Sequence, residues 1–288
     1  MDILLQLIVN GLIAGSIYAL FAISFNFVFA ATRFFNLAHG SIAVVGAYVV
    51  FYLNREVGFE LAVSLVLGVL AAALCGILID RVVYHRLKLR GGSPMILLVA
   101  SLGVMIVVHS ILAILFTSNF TTITGRFAKT HLELFGTSFT SVQLTIFILS
   151  IVVSTAFFFF LRYTKFGKVV SAVSDDEEVS RIVGINADKV MAQVFFLGSG
   201  LAGLGGILFA LDTGIDPSMD MLFLLKGVIA AIVGGIGNIY GALIGAIFIG
   251  LVENLGIWYI PSEWKDTIAF AILVIFLVFR PYGILGKR

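Results

Sequence analysis

The stretch FFNLAHGSIAVVGAY, Phe34 to Tyr48, sets Asn36, His39 and Gly40 inside an apolar run. Imidazole and amide groups there can donate and accept hydrogen bonds, and glycine weakens a helix. A second stretch, VGGIGNIYGALIGA from Val233 to Ala246, repeats the pattern with Gly235, Gly237 and Asn238. Neither set pairs a nucleophile with a base. The histidines at 39, 85, 109 and 131 lack metal-ligand spacing, and the sequence contains no HExxH, paired CxxC or GxSxG. Covalent catalysis and a metal centre therefore have no support, and the lone Cys75 forbids an internal disulfide. What remains is non-covalent chemistry: polar groups that either bond neighbouring helices together or line a path.

The elements that hold these groups follow from the solvent. Of 288 residues, 60% are hydrophobic and 12% are charged, too greasy and too sparsely charged for a water-soluble domain. The net charge of +2 is too small to suggest nucleic-acid binding. A bilayer core of about 30 Å needs about 20 helical residues. Apolar runs of that order extend from Ile3 to Ala31, Phe34 to Leu53, Phe59 to Ile79, Pro94 to Phe116, Val142 to Leu161 and Val190 to Leu211. Leu224 to Leu255 is long and glycine-broken, and Thr267 to Phe279 is short. The expected fold is all-α: one polytopic membrane domain over residues 1–288, with about eight segments, two of them glycine-interrupted. A β-barrel would instead alternate apolar and polar residues. The first run has no basic leader and is too long for a cleavable signal.

Basic flanks stay cytoplasmic. With the N-terminus outside and Leu224 to Leu255 as a re-entrant hairpin, thirteen lysines and arginines lie inside, leaving Arg55, Arg126, Lys129, Lys226 and Lys265 outside. A full span at that segment gives eleven against seven, so the re-entrant arrangement, with a cytoplasmic C-terminus at Lys287 and Arg288, is expected. Two interrupted helices, one in each half, are the pattern of transporters whose path lies at a repeat interface. The acids near the membrane, Asp80, Asp212 and Glu253, sit at the ends of expected segments, which argues against ion coupling through an intramembrane carboxylate.

Other glycines read as packing. Gly11 and Gly15 let a neighbouring helix approach closely. Gly198-Ser-Gly200-Leu-Ala-Gly203 matches GxGxxG but lies in a continuous apolar helix and follows no strand, and no GxxxxGK[ST] occurs anywhere. The polar stretch SAVSDDEEVSRIVGINADKV, residues 171–190, lies on the basic side. There Ser174 and Glu177 form an S-x-x-E capping box, with Asp175, Asp176, Glu177 and Glu178 near the start and Gly184 able to close the end. A helix of about nine residues is expected, with Val179, Ile182 and Val183 on one face and Asp176, Glu177 and Arg181 elsewhere. So short a helix needs a partner surface, supplied either by the membrane end of its own chain or by another subunit.

FNLAHG with GAY, the loop ending in RIVGIN at Arg181 to Asn186 with Ile185, VGGIGNIYGALIG, and the terminal RPYGILGKR occur in order along nearly the whole chain. Together they resemble the permease subunit of bacterial ABC importers for branched-chain amino acids, the LivH type. The resemblance implies an inner-membrane protein that pairs with a second related permease, two cytoplasmic ATPase subunits and an external substrate-binding protein. It implies a small amino-acid substrate, a coupling helix within residues 171–190, no cofactor on this chain and ATP used by the partner ATPases. Related permeases carry urea, short amides or other amino acids, and these stand as alternatives beside an ion-coupled secondary transporter.

Overall fold

The computed structural model describes residues 2–117, 119–123, 131–134 and 136–286. Twelve α-helices account for most of them, in chain order α1 Asp2–Thr32, α2 Ala38–Phe51, α3 Leu61–Ile79, α4 His85–Leu89, α5 Pro94–Phe116, α6 Ser141–Tyr163, α7 Lys165–Asp175, α8 Glu177–Ile182, α9 Ala187–Thr213, α10 Met219–Gly234, α11 Ile239–Gly256 and α12 Lys265–Phe279. A small antiparallel hairpin, β1 His131–Leu134 with β2 Thr137–Thr140, interrupts the all-α pattern and pairs Leu134 with Thr137. Gln6 reads one strand by a two-way amide contact: its Nε2 donates to the Ser138 carbonyl and its Oε1 accepts from the Ser138 amide, each at 2.8 Å.

Among the described residues, six helical stretches are long and apolar enough to cross a membrane: Ile3–Thr32, Leu61–Leu89, Pro94–Phe116, Ser141–Tyr163, Ala187–Thr213 and Ile239–Gly256. The expected spans Phe34 to Leu53 and Thr267 to Phe279 correspond to helices α2 and α12, of 14 and 15 residues. Leu224 to Leu255 resolves into most of α10 and α11, of 16 and 18 residues. Of the basic residues that set the expected sidedness, Arg126, Lys129, Lys287 and Arg288 lie outside the described residues.

The chain forms two compact units: Met1–Asn26, Thr124–Ser154 and Leu225–Arg288 in one, and Phe27–Ile123 with Thr155–Leu224 in the other. In the second unit α2, α3 and α9 pack against one another. Lipid tails are as apolar as leucine, so helices there associate through close backbone approach. Glycine supplies it: a Cβ on Gly206 of α9 would lie 2.4 Å from the Ala43 carbonyl oxygen of α2, and one on Gly203 would lie 2.3 Å from the Ala72 Cβ of α3. The GxGxxG match is thus a packing face of α9. In the first unit Gly11 and Gly15 of α1 do the same against α11, where added Cβ atoms would reach the Gly250 carbonyl oxygen and the Ile247 Cα, each at 2.9 Å.

Leu61–Leu89 is a single helical run with a π-turn at Asp80–Tyr84 between α3 and α4. Single π-turns inside α-helices add one residue to the turn and are frequent at functional positions. The amphipathic α7, capped by Thr164 Oγ1 accepting from the Gly167 amide, buries Val170 and Val173 and exposes Lys165 and Lys168. It occupies what the sequence suggested was the first part of a loop.

Candidate functional site

Asn36 does not interrupt a helix. Helix α1 ends at Thr32, Arg33 takes a left-handed conformation at φ 56°, and α2 begins only at Ala38. That conformation costs a non-glycine residue roughly 1–2 kcal/mol, and the Arg33 guanidinium donates at 2.7 Å to the Ser174 carbonyl at the end of α7. The non-helical backbone of residues 34–37 is clamped by Ser101 of α5, whose Oγ accepts from the Leu37 amide at 3.0 Å and donates to the Phe35 carbonyl at 3.4 Å. Asn36 is 2% exposed; its Oδ1 accepts from the Tyr84 hydroxyl at 2.9 Å, and its Nδ2 meets no acceptor among the described residues.

His39 and Gly40 occupy the first turn of α2, both buried. A Cβ on Gly40 would come 2.4 Å from the Asp220 carbonyl oxygen and 2.8 Å from the Leu224 Cβ, so glycine is required for α10 to lie this close. Beside it Ser41 Oγ donates to Asp220 Oδ2 at 2.8 Å, and His109 Nδ1 lies 3.5 Å from the same oxygen. Ser41 and Asp220 are buried, whereas the His109 side chain is partly exposed.

The second set belongs to the other unit. Gly235 to Asn238 is the turn between α10 and α11, which fold back on each other so tightly that a Cβ on Gly234 would strike the Gly241 carbonyl and one on Gly245 the Ala230 carbonyl. Gly235 and Gly237 take φ of 120° and 80°. Asn238 caps α11, its Oδ1 accepting from the Tyr240 and Gly241 amides at 3.0 and 3.2 Å. Asn26 Nδ2 donates to the Gly235 and Asn238 carbonyls, and its Oδ1 accepts from the Gly237 amide. From the far side, the Ile284 and Leu285 amides donate to the Val233 and Gly234 carbonyls at 2.8 and 2.9 Å, while Asn238 Nδ2 donates to the Leu285 carbonyl at 2.8 Å. Nearly every polar group of the turn is met from within the same unit.

The acidic stretch forms α8, but its cap differs from expectation. Ser174 is absorbed into the last turn of α7, and Asp176, in an extended conformation, is the N-cap: its Oδ1 accepts from the Glu178 and Val179 amides at 2.9 and 3.0 Å. The stronger carboxylate acceptor takes the role assigned to the serine, so the helix has six residues instead of about nine. Asp175 closes α7, and only Glu177 and Glu178 lie in the first turn of α8. Gly184, at φ 89°, ends it as expected, with its amide and that of Ile185 donating to the Arg181 and Ser180 carbonyls.

One side of α8 is ionic. Glu177 accepts from Lys88 of α4 at 2.7 Å and from Arg181 at 3.0 Å, Arg181 also donates to Asp188 of α9 at 2.8 Å, and His85 lies 3.9 Å from Asp188. Partial burial alone would raise the Glu177 carboxyl, but the hydrogen bonds and charges of Lys88 and Arg181 outweigh it and hold the group below the usual carboxylate range. Because that value is depressed in the fold, the clamp's contribution is complete above the ordinary carboxylate range and is lost as pH falls through the lowered value. The other side is apolar and open: Val179, Ile182 and Val183 are 53%, 82% and 69% exposed. The chain's own surface does not cover this face.

Two buried charge clusters escaped the sequence reading. Lys226, 9% exposed, lies 3.2 Å from Glu253 Oε2, 3.2 Å from the Tyr18 hydroxyl and 2.8 Å from Asp266. Glu253 is wholly buried and also accepts from Tyr18 at 3.0 Å. The second cluster is Asp220 with Ser41 and His109. Glu253 stands near the end of α11 and Asp80 within the continuous Leu61–Leu89 run, and both are buried, contrary to the peripheral position expected of them. Asp220 stands ahead of the expected segment from Leu224, so its place in the first turn of α10 was not visible in the apolar run.

A family profile described as "Branched-chain amino acid transport system / permease component" matches residues 7–277. The "High-affinity branched-chain amino acid transport system permease protein LivH" of Escherichia coli K12 is 32% identical, covering 98% of this chain and 96% of the relative. BraD of Pseudomonas aeruginosa, carrying the same description, is 31% identical over the same shares. A probable LivH of Methanocaldococcus jannaschii is 28% identical over 98% of this chain and 92% of its own length.

Proposed function

We infer that this chain, which belongs to the family of branched-chain amino acid transport permease components, is the membrane-spanning subunit of an ATP-binding-cassette importer that moves leucine, isoleucine and valine inward. It is a membrane permease, and the match that runs through nearly its entire length is the observation that carries this reading. In the complete importer it pairs with a second related permease in the bacterial inner membrane, with its N-terminus outside and its C-terminus inside. Two ATPase subunits on the inner side use ATP, a substrate-binding protein delivers the amino acid from outside, and this chain binds no cofactor of its own.

The mechanism is alternating access. ATP binding draws the two ATPases together; one of them carries the docked α8, and the displaced helix reorients the membrane segments. Support for α8 as that dock comes from its composition of surfaces: an ionic side tied to α4 and α9, and an apolar side left open in this chain. An ATPase groove is the partner of stated chemistry, since amphipathic helices bind by laying such a face into a hydrophobic cleft. Asn36, His39, Gly40, Gly235, Gly237 and Asn238 are assigned to the path and to the turns that shape it. Asn36→Ala should reduce uptake several-fold while the amount of assembled complex in the membrane stays near wild type. Equal loss of both would make Asn36 a packing residue only.

Substrate class is tested on the complete complex in proteoliposomes, with each candidate ligand loaded on the binding protein. Leucine, isoleucine and valine should each be taken up and raise ATP hydrolysis, while urea, acetamide and polar amino acids should do neither. Stimulation by urea or an amide alone would reassign the substrate, and uptake driven by an ion gradient without ATP would end the importer reading.

A further inference from the structure

We propose that the helical piece from Asp80 to Leu89 is a transmission lever, carrying displacement of α8 to the non-helical segment Arg33–Asn36 through Lys88 at one end and Tyr84 at the other. The proposal rests on the coupling role given to α8 above and assigns two residues that no motif singled out.

The geometry is that of a strut with two contacts on one side. Lys88 and Tyr84 are four residues apart, the spacing that stacks side chains on one helix face. Lys88 Nζ donates to Glu177 of α8 at 2.7 Å, and one turn away the Tyr84 hydroxyl donates to Asn36 Oδ1 at 2.9 Å. The Tyr84 ring also packs edge-on against Phe34, with centroids 5.0 Å apart. A push on Glu177 thus meets a charged contact, a helical turn and then a buried hydrogen bond.

Three further observations fit a moving part. The π-turn at Asp80–Tyr84 lies where the piece joins the long helix α3, and helix kinks and functional positions concentrate at such turns. A narrow cleft bordered by Phe34, Asp80, Tyr84, Lys88 and Asp188 runs along the flank of the piece. At the receiving end, Arg33 holds a left-handed backbone and reaches Ser174 at the end of α7, so the segment is tied to the coupling region from both sides. Coupling travels through contiguous packed and hydrogen-bonded groups of this kind.

The test uses the complete complex in proteoliposomes and compares transport per ATP hydrolysed. Tyr84→Phe removes only the hydroxyl, and Lys88→Met removes only the charge. Each should lower uptake about tenfold, the scale of one lost buried hydrogen bond or partly buried ion pair, while ATPase subunits remain bound and ATP is still hydrolysed. Lys88→Arg should restore uptake. A purely structural role would lower assembled complex, uptake and hydrolysis together, leaving transport per ATP unchanged; that result, or unaltered uptake in both variants, overturns the lever. The Val179→Asp/Ile182→Asp variant serves as the control on α8. If it loses its ATPase subunits while the lever variants transport normally, the lever alone fails; if it keeps both subunits and uptake, the coupling reading fails and the lever falls with it.

Discussion

Val179→Asp with Ile182→Asp abolishes uptake and strips the ATPase subunits from the purified complex, while the chain itself remains in the membrane at its usual level. Both side chains stand out from α8, at 53% and 82% exposure, so charging them disturbs nothing within this chain. In a docked groove, two carboxylates would lose their hydration and two apolar contacts would vanish. A few kcal/mol at such central positions weakens binding by roughly a hundredfold or more. Gly184→Val should act in the same direction by another route. At φ 89° a β-branched residue is strained by about 1–3 kcal/mol, and a helix of six residues has little stability to spare. Glu177→Lys with Glu178→Lys should also uncouple, by reversing the charge that meets Lys88 and Arg181. Membrane level, ATPase co-purification and uptake are measured together; full uptake in the aspartate variant would reject the docking face.

Lys226→Met lowers the thermal unfolding midpoint of the purified chain more than any other single change in its unit's charge cluster. Its removal leaves Glu253, wholly buried, with Tyr18 as its remaining hydrogen-bond partner in the cluster. Breaking a buried pair at one side costs about 3–5 kcal/mol because the remaining charge is uncompensated. Glu253→Ala should cost less, since Lys226 keeps Asp266 at 2.8 Å and that carboxylate is half-exposed. Lys226→Met combined with Glu253→Met removes both charges and should recover most of the loss. If the double variant were less stable than either single one, the pair would not be a self-compensating unit.

Much of this architecture could be read before any coordinates. Continuous apolar runs located α1, α3, α5, α6 and α9 to within a few residues, because a helix in lipid must satisfy its own backbone and so cannot be short or polar. The packing glycines Gly11 and Gly15 were legible from their four-residue spacing. The end of α8 was legible because Gly184 alone near that point tolerates a left-handed backbone. Its start was not: a serine and an aspartate two residues apart both make good caps, and only the extended conformation of Asp176 decides between them. The break at Arg33 to Leu37 was misplaced into the helix because hydropathy does not register a change in φ. The clustering of Lys226, Glu253 and Asp220 with their partners went unread for a different reason. Each is a lone charge in its stretch of sequence, and their partners Tyr18, Asp266 and Ser41 lie on other helices, so no local spacing announces them.

The turn at Gly235–Asn238 has a consequence for how the molecule is made. The carbonyls of Val233 and Gly234 are met by the amides of Ile284 and Leu285, and Asn238 is held by a residue 47 positions further on. A ribosome adding residues one at a time delivers α10 and α11 to the bilayer well before it delivers their fastener. During that interval the bend relies on Asn26 and on its own Asn238 cap, and the C-terminal residues complete the joint only when they emerge.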